Sequence, residues 1–518
     1  MNRSAVASLL ALAAGAATLS AQTFENPVLA GDYPDPSVIR VGKDYWATAT
    51  SSEWAPQFPL MHSTDLVNWK VVGSVFDKQP SWSVGNYWAP EIAEYKGRYF
   101  IYYVGRKQGG PLSIAVATSD KPEGPYRDHG ILVSQPAGSI DAVTAVDENG
   151  ELYMLWKEDG NSRKLPCIIW AQRLSDDGTK LLGEPRELFR NDTPWEGAVI
   201  EGPFVVKRGD WFYLFYSGNA CCGSNCDYAL GVARSKALLG PWKKNPKNPI
   251  LAGNSEWKCP GHGSIVDDPQ GRYWLMYHAY DAASFVFTGR EALLDEVVFG
   301  ADGWPTINDG KGPSGKHPAP FNVAQRKSEL TYKDDFDASV PGWNWFVGDQ
   351  NPATLKNGKI LLHAGAKHGT NLLAAAYGRS ITGGDLVAVT VLELASVDSA
   401  ESAGLAMIGD RSHATGIAVS DGKMFVWNRK AGQQDILASI SAPAGPKLFL
   451  KVRAEKGGEY DFSYSADGRN WQELRSDVSG KHLPPWDRAV RVAMTVGGKP
   501  NADAEFDSFI IEAKRSDK

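Results

Sequence analysis

Between Asp44 and Trp304 the chain alternates short, aromatic-rich apolar runs with turns carrying glycine and polar residues. One segment recurs. It reads Gly42-Lys-Asp-Tyr-Trp-Ala-Thr, then Gly97-Arg-Tyr-Phe-Ile-Tyr-Tyr, then Gly150-Glu-Leu-Tyr-Met-Leu-Trp. It returns as Gly209-Asp-Trp-Phe-Tyr-Leu-Phe-Tyr and Gly271-Arg-Tyr-Trp-Leu-Met-Tyr-His. A second strand-like run follows each copy, and two units end in Gly-Pro-Tyr126 and Gly-Pro-Trp242. The spacing, roughly 50–60 residues, suits one four-stranded propeller blade per copy, and no helical period interrupts it. The pattern predicts an all-β chain with a five-bladed β-propeller over residues 22–312.

The pattern stops at Lys311-Gly-Pro-Ser-Gly-Lys-His-Pro-Ala-Pro320, whose proline and glycine density predicts a linker over 313–329. Beyond Leu330 the texture changes to alternating strands, as in Leu386-Val-Ala-Val-Thr-Val-Leu and Val490-Arg-Val-Ala-Met-Thr-Val. Ala466-Asp-Gly-Arg469 marks a hairpin turn between Tyr464 and Trp471. Residues 330–518 therefore read as a β-sandwich of jelly-roll type.

Composition and the first residues add four points. Residues 1–21 have a basic start, an apolar run from Leu9 to Ala17 and a small-residue cleavage site, so they read as an export signal and the protein as secreted or periplasmic. Interspersed charges summing to −6 give no argument for nucleic acid or a membrane surface as partner. Eighteen Trp and 19 Tyr suit sheet cores, and exposed ones also stack on sugar rings. The five cysteines of an exported chain permit disulfides. Cys221, Cys222 and Cys226 cluster, which favours a short loop closed by Cys226 and one of its two neighbours and leaves at least one thiol unpaired.

The chemistry lies in three acids, each set ahead of a blade's aromatic strand. Asp35 is clamped in Tyr33-Pro-Asp-Pro-Ser37, where the prolines stiffen the backbone and hold the residue out of the helical region. Asp141 lies in Ser139-Ile-Asp141 and Glu201 in Glu201-Gly-Pro203. Blades converge on an axis, so the three could meet there. One carboxylate to activate water and one carboxylic acid to protonate the leaving oxygen are what glycosidic hydrolysis needs. A third carboxylate beside the acid would raise its pKa by like-charge repulsion. Glu196, in a similar Glu-Gly pair, lacks the proline that completes the motif; Asp32 and Glu91 are the other acids nearby.

These stretches, with Tyr87-Trp-Ala-Pro-Glu91, resemble glycoside hydrolase family 43 from about Asn26 to Ile307. The family contains inverting β-xylosidases, α-L-arabinofuranosidases and arabinanases on five-bladed propellers. The resemblance implies a carbohydrate substrate, with Asp35 as general base, Glu201 as general acid, and Asp141 tuning and orienting that acid. It makes Trp88, Trp54 and Arg290 the substrate-binding candidates. It implies no cofactor for the chemistry itself. Cys259-Pro-Gly-His262 resembles a segment whose histidine lies near a structural calcium or other ion on the propeller axis, so His262 is the metal candidate. The second domain resembles the concanavalin-like sandwich of some members, with the Asp334-Asp-Phe opening and Trp343-Asn-Trp345 as the carrying residues. The expected activity is removal of terminal arabinofuranosyl or xylosyl residues from plant polysaccharide. Endo-acting arabinanase and a non-catalytic sugar-binding propeller are the alternatives.

Overall fold

Gly42, Gly97, Gly150, Gly209 and Gly271, which head the aromatic runs, have φ between +57° and +87°. A Cβ built on any of them would meet no atom within 4 Å. Backbone conformation, not crowding, therefore asks for glycine, since a β-carbon is strained at such φ. Each glycine turns the chain between the first and second strands of a blade. Every blade thus starts one strand before the repeated aromatic segment.

The computed structural model describes residues 22–321, 323, 330–368 and 371–514. The segment read as an export signal lies outside the described residues. Five antiparallel sheets of four strands account for residues 37–307. Their first strands are Ser37–Val41, Trp88–Tyr95, Ser139–Val146, Ile200–Arg208 and Trp257–Asp267. These pack against one another in order, and the fifth returns to the first, closing a ring of blades I to V. Closure is sealed by apolar packing of Tyr45 and Met61 with Trp274, Met276 and Leu294. Asn26 ties the N-terminus to blade V by donating to the Leu294 and Ser314 carbonyls. The stretch read as a linker begins as part of the propeller: Lys316–Pro318 pairs antiparallel with Thr23–Glu25, and Val323 packs into the same cluster.

The second domain stacks an eight-stranded sheet on a six-stranded one. Inward residues of strands such as Asp385–Glu393 and Arg491–Gly497 fill the space between them. Trp343 is a core residue stacked on Tyr377 at 4.6 Å. The Ala466–Arg469 turn joins Glu459–Ser465 to Gln472–Ser479, with Asp467 accepting the Arg469 and Asn470 amides.

The domains share a strand pair, Trp54–Ala55 with Trp345–Phe346. This corrects the reading of Trp54. It is 1 % exposed, stacks on Phe346 at 4.9 Å, and is absent from the pocket lining. Aromatic burial between domains has the same local signature as a pocket wall. Asp32 has an interdomain role too: it faces Arg491 at 3.2 Å and accepts the Ala489 amide, both from the sandwich.

Candidate active site

The blades place their chemistry with one repeated device. Asp35, Ala89, Asp141, Gly202 and His262 have φ of 53°, 37°, 59°, 56° and 40° and occupy matching positions in blades I to V. In blades II to V the register slips at this point, which makes a bulge on the first strand. A bulge frees a residue from strict alternation and re-aims side chains, and left-handed non-glycine residues cluster at functional sites. Glu201 lies one position before its blade's left-handed residue, in register with Trp88 rather than with Asp35 and Asp141. The three acids are thus not strict blade equivalents, although they do meet. Gly202 is required twice, by its φ and because a Cβ there would come 2.9 Å from the His262 ring.

A cavity of about 490 Å³ contains all three acids, with Trp88, Lys157, His262, Arg290, Trp486 and Asp487 among its walls. Asp35 is held from several sides. Arg290 Nη1 lies 3.1 Å and His262 Nδ1 3.4 Å from its Oδ1, and Thr50 Oγ1 donates to Oδ2 at 2.6 Å. Burial alone would raise this carboxyl. The Arg290 guanidinium, followed by His262, overcomes that and holds it far below the usual carboxylate range. His278 is pulled down to about 4, chiefly by burial, so it is neutral and its Nδ1 accepts the Asp35 amide at 3.1 Å. Asp35 is an anion at any ordinary pH, as a base requires.

Glu201 accepts Lys157 Nζ at 2.7 Å on Oε2 and Tyr228 Oη at 2.8 Å on Oε1. Lys157 is 2 % exposed and also donates to Asp159 at 2.9 Å. Asp141 accepts the Gly202 amide at 3.0 Å, so it grips the peptide next to Glu201. Burial pushes Asp141 up to about 6, with His262 opposing and the Glu201 charge adding to the rise. Glu201 shifts the other way: burial raises it, but the Lys157 ammonium in direct contact outweighs that and lowers it overall. The expectation that Asp141 keeps Glu201 protonated is therefore corrected in the free enzyme. The charge touching the carboxylate is a cation, and the raised acid is Asp141.

The remaining candidates sort plainly. Trp88 lines the pocket, edge-on to Trp486 at 5.8 Å, and its buried Nε1 has no partner. Arg290 lines it too and donates from Nη2 to the Asp487 carbonyl of the sandwich at 2.9 Å. Glu196 is structural, fixed by Lys244 and the Tyr216 hydroxyl, each at 2.7 Å. Glu91 accepts from Ser37 and does not line the pocket. His262 touches Asp35 and packs on Gly202. Among the described residues no three His, Cys, Asp or Glu side chains converge to hold a metal, and Arg290 already supplies positive charge there. The surroundings of His262 do not fit a cation site.

The disulfides also differ from expectation. Cys226 bonds to Cys259, 33 residues on, and Cys221 bonds to its neighbour Cys222. The first joins the loop after blade IV's second strand to blade V's first strand, a contact that only the ring creates. The second lines the pocket. Cys167 is the free thiol, buried. Sequence reasoning missed Lys157, His278 and Tyr228. Lys157 and His278 do carry a signal: each ends an aromatic-rich apolar run, Leu-Tyr-Met-Leu-Trp-Lys157 and Tyr-Trp-Leu-Met-Tyr-His278.

An ionised carboxylate and a second carboxyl group with a proton-holding neighbour, in one aromatic-walled pocket on a propeller, define a glycosidase. The comparisons agree. Residues 24–305 match the model of Glycosyl hydrolases family 43, and residues 333–489 that of the Beta xylosidase C-terminal Concanavalin A-like domain. The chain belongs to glycoside hydrolase family 43. It is 27 % identical to a Xylosidase/arabinosidase 43B from Humicola insolens, over 94 % of this chain and 97 % of that protein. It is also 27 % identical to a Xylan 1,3-beta-xylosidase from a Vibrio species, over 94 % and 99 %. The crystal structure of the GH43 BlXynB protein from Bacillus licheniformis superposes with a TM-score of 0.82 at 27 % identity, covering 95 % of this chain and all of that one.

Proposed function

We propose that the enzyme is an exo-acting pentosidase that removes terminal xylosyl or arabinofuranosyl residues from plant glycans, with inversion at the anomeric carbon. The observation that carries this reading is the sandwich loop at the pocket mouth. Trp486 and Asp487 reach across from the second domain and line the cavity beside Arg290. A wall there favours a pocket for one terminal sugar over an open groove for a running chain. The names of the relatives, xylosidase and arabinosidase, support the same substrate class.

In this reading Asp35 draws the proton from a water as that water attacks the anomeric carbon. Glu201 passes a proton to the departing oxygen on the other side of the sugar. The proton enters the Asp141–Glu201 pair as the pH falls toward about 6, where buried Asp141 takes it up beside Glu201. In this reading Arg290 and Trp88, which line the pocket, contact the sugar. Export is part of the proposal. Two disulfides suit an oxidising compartment, and relatives from Cellvibrio japonicus and Bacillus subtilis are named extracellular.

A panel of aryl β-D-xyloside, aryl α-L-arabinofuranoside and dyed linear arabinan tests the reading. Turnover of at least one aryl pentoside, with no solubilisation of the dyed polymer, is expected. Rapid release of dyed fragments with inert aryl pentosides would overturn exo-action.

A further inference from the structure

The catalytic pocket runs into a second cavity of about 510 Å³, with which it shares Arg106, Leu112, Asp159 and Ser162. The two form one depression, and the extension leaves the pocket on the general-acid side. Lys157 marks the junction, holding Glu201 with one hydrogen bond and Asp159 with another. A group attached to the oxygen that Glu201 protonates therefore has this cavity next to it.

Its chemistry is lopsided. Pro111, Leu112, Pro136 and Ala137 supply apolar surface, suited to the C–H face of a sugar ring. The charged groups are Arg106, Arg163 and Asp159, and the Asp159 carboxylate is already engaged by Lys157. Arg106 donates from Nε to Asn86, and Glu53, which accepts the Asn86 amide, partly offsets it. Arg163 is exposed and makes no ion pair among the described residues. The bordering loops, 107–111 and 160–166, add Lys107 and Lys164 and contain no acid, although the whole chain carries a net −6. A basic rim on an acidic protein, beside a leaving-group site, asks for an anionic leaving group.

We propose that this cavity is a leaving-group subsite selecting an acidic sugar, with Arg163 and Arg106 pairing the carboxylate of a hexuronic acid unit next to the scissile bond. The inference rests on the pentosidase reading. Arginine presents a planar fork that matches a carboxylate, and such charge-assisted bonds exceed neutral ones in strength.

The test compares two oligosaccharides with the same terminal pentose, one with a neutral sugar and one with a hexuronic acid as the adjoining unit. The wild type is expected to favour the acidic one by about tenfold in kcat/KM at low salt, with the preference shrinking as salt screens it. Arg163→Glu should abolish or reverse the ratio. Equal ratios in the two proteins, or a wild type preferring the neutral compound, would overturn the subsite. If neither compound is hydrolysed, the pentosidase reading fails. Calorimetric titration of both then still decides the subsite, by whether tighter acidic binding disappears in Arg163→Glu.

Discussion

Asp35→Asn is expected to lower kcat/KM by at least about 10³-fold on every substrate, in line with the upper range for a positioned general base. The loss should be the same for good and poor leaving groups. The base acts on water and has no part in expelling the aglycone, so an activated aryl group cannot compensate. The structure adds a second reason for a large effect. Asp35 accepts from Arg290 on one oxygen and from Thr50 on the other, while Thr50 Oγ1 itself accepts the Ala89 amide. An asparagine NH2 turned toward Arg290 meets an obligatory donor, and turned toward Thr50 it makes that hydroxyl rotate and accept instead of donate, so either way one hydrogen bond of the wild type is lost, at about 1 kcal/mol in stability. Thermal melting separates the two effects. A folded Asp35→Asn protein within tenfold of wild-type activity would remove Asp35 from the mechanism.

Lys157→Met carries the second large effect. The lysine is buried and is the hydrogen-bonding cation for two carboxylates, so its removal leaves Glu201 and Asp159 uncompensated. Breaking one side of a buried pair costs about 3–5 kcal/mol. The pH dependence follows from the sign of the Glu201 shift. Glu201 is lowered in the folded protein, so its ionised form contributes stability above the unfolded carboxylate pKa, and that contribution is lost as pH falls through the lowered value. Without Lys157, burial and the Asp141 charge dominate and Glu201 rises above its unfolded value. Lys157→Met should then be weakest at neutral pH and regain stability on acidification, the reverse of the wild-type contribution. In kcat/KM the alkaline limb, which reports the general acid, should move to higher pH. Melting curves at pH 5 and 7.5 together with a pH–rate profile check both. An unmoved alkaline limb would mean that Lys157 does not set the state of Glu201.

What the sequence makes legible is what a blade does locally. A positive-φ glycine followed by an aromatic strand is one hairpin, and five of them announce the ring. Asp35, Asp141 and Glu201 stand out because each occupies a stiff or small-residue segment just ahead of such a hairpin, and all three line one cavity. What is not legible depends on contacts between blades and between domains. Cys226 finds Cys259 rather than its near neighbours because blade V folds back beside the blade IV loop. Trp54 belongs to a strand pair with residues almost three hundred positions later, and Asp32 meets Arg491 across the domain boundary. The one-residue offset of Glu201 is invisible without the bulges that re-aim it. The lowering of Glu201 is not legible either, because Lys157, the cation that holds it, comes from a different strand.

The central claim is that Asp35 activates water on one face of the sugar while Glu201 protonates the leaving oxygen on the other. Proton NMR of the first-formed sugar tests it most directly, taken on whichever aryl pentoside the enzyme accepts and before mutarotation. Direct attack by water gives the inverted anomer, so a β-xyloside should yield α-xylose first. Appearance of the retained anomer as the initial product would contradict the account, because it requires a covalent glycosyl-enzyme intermediate.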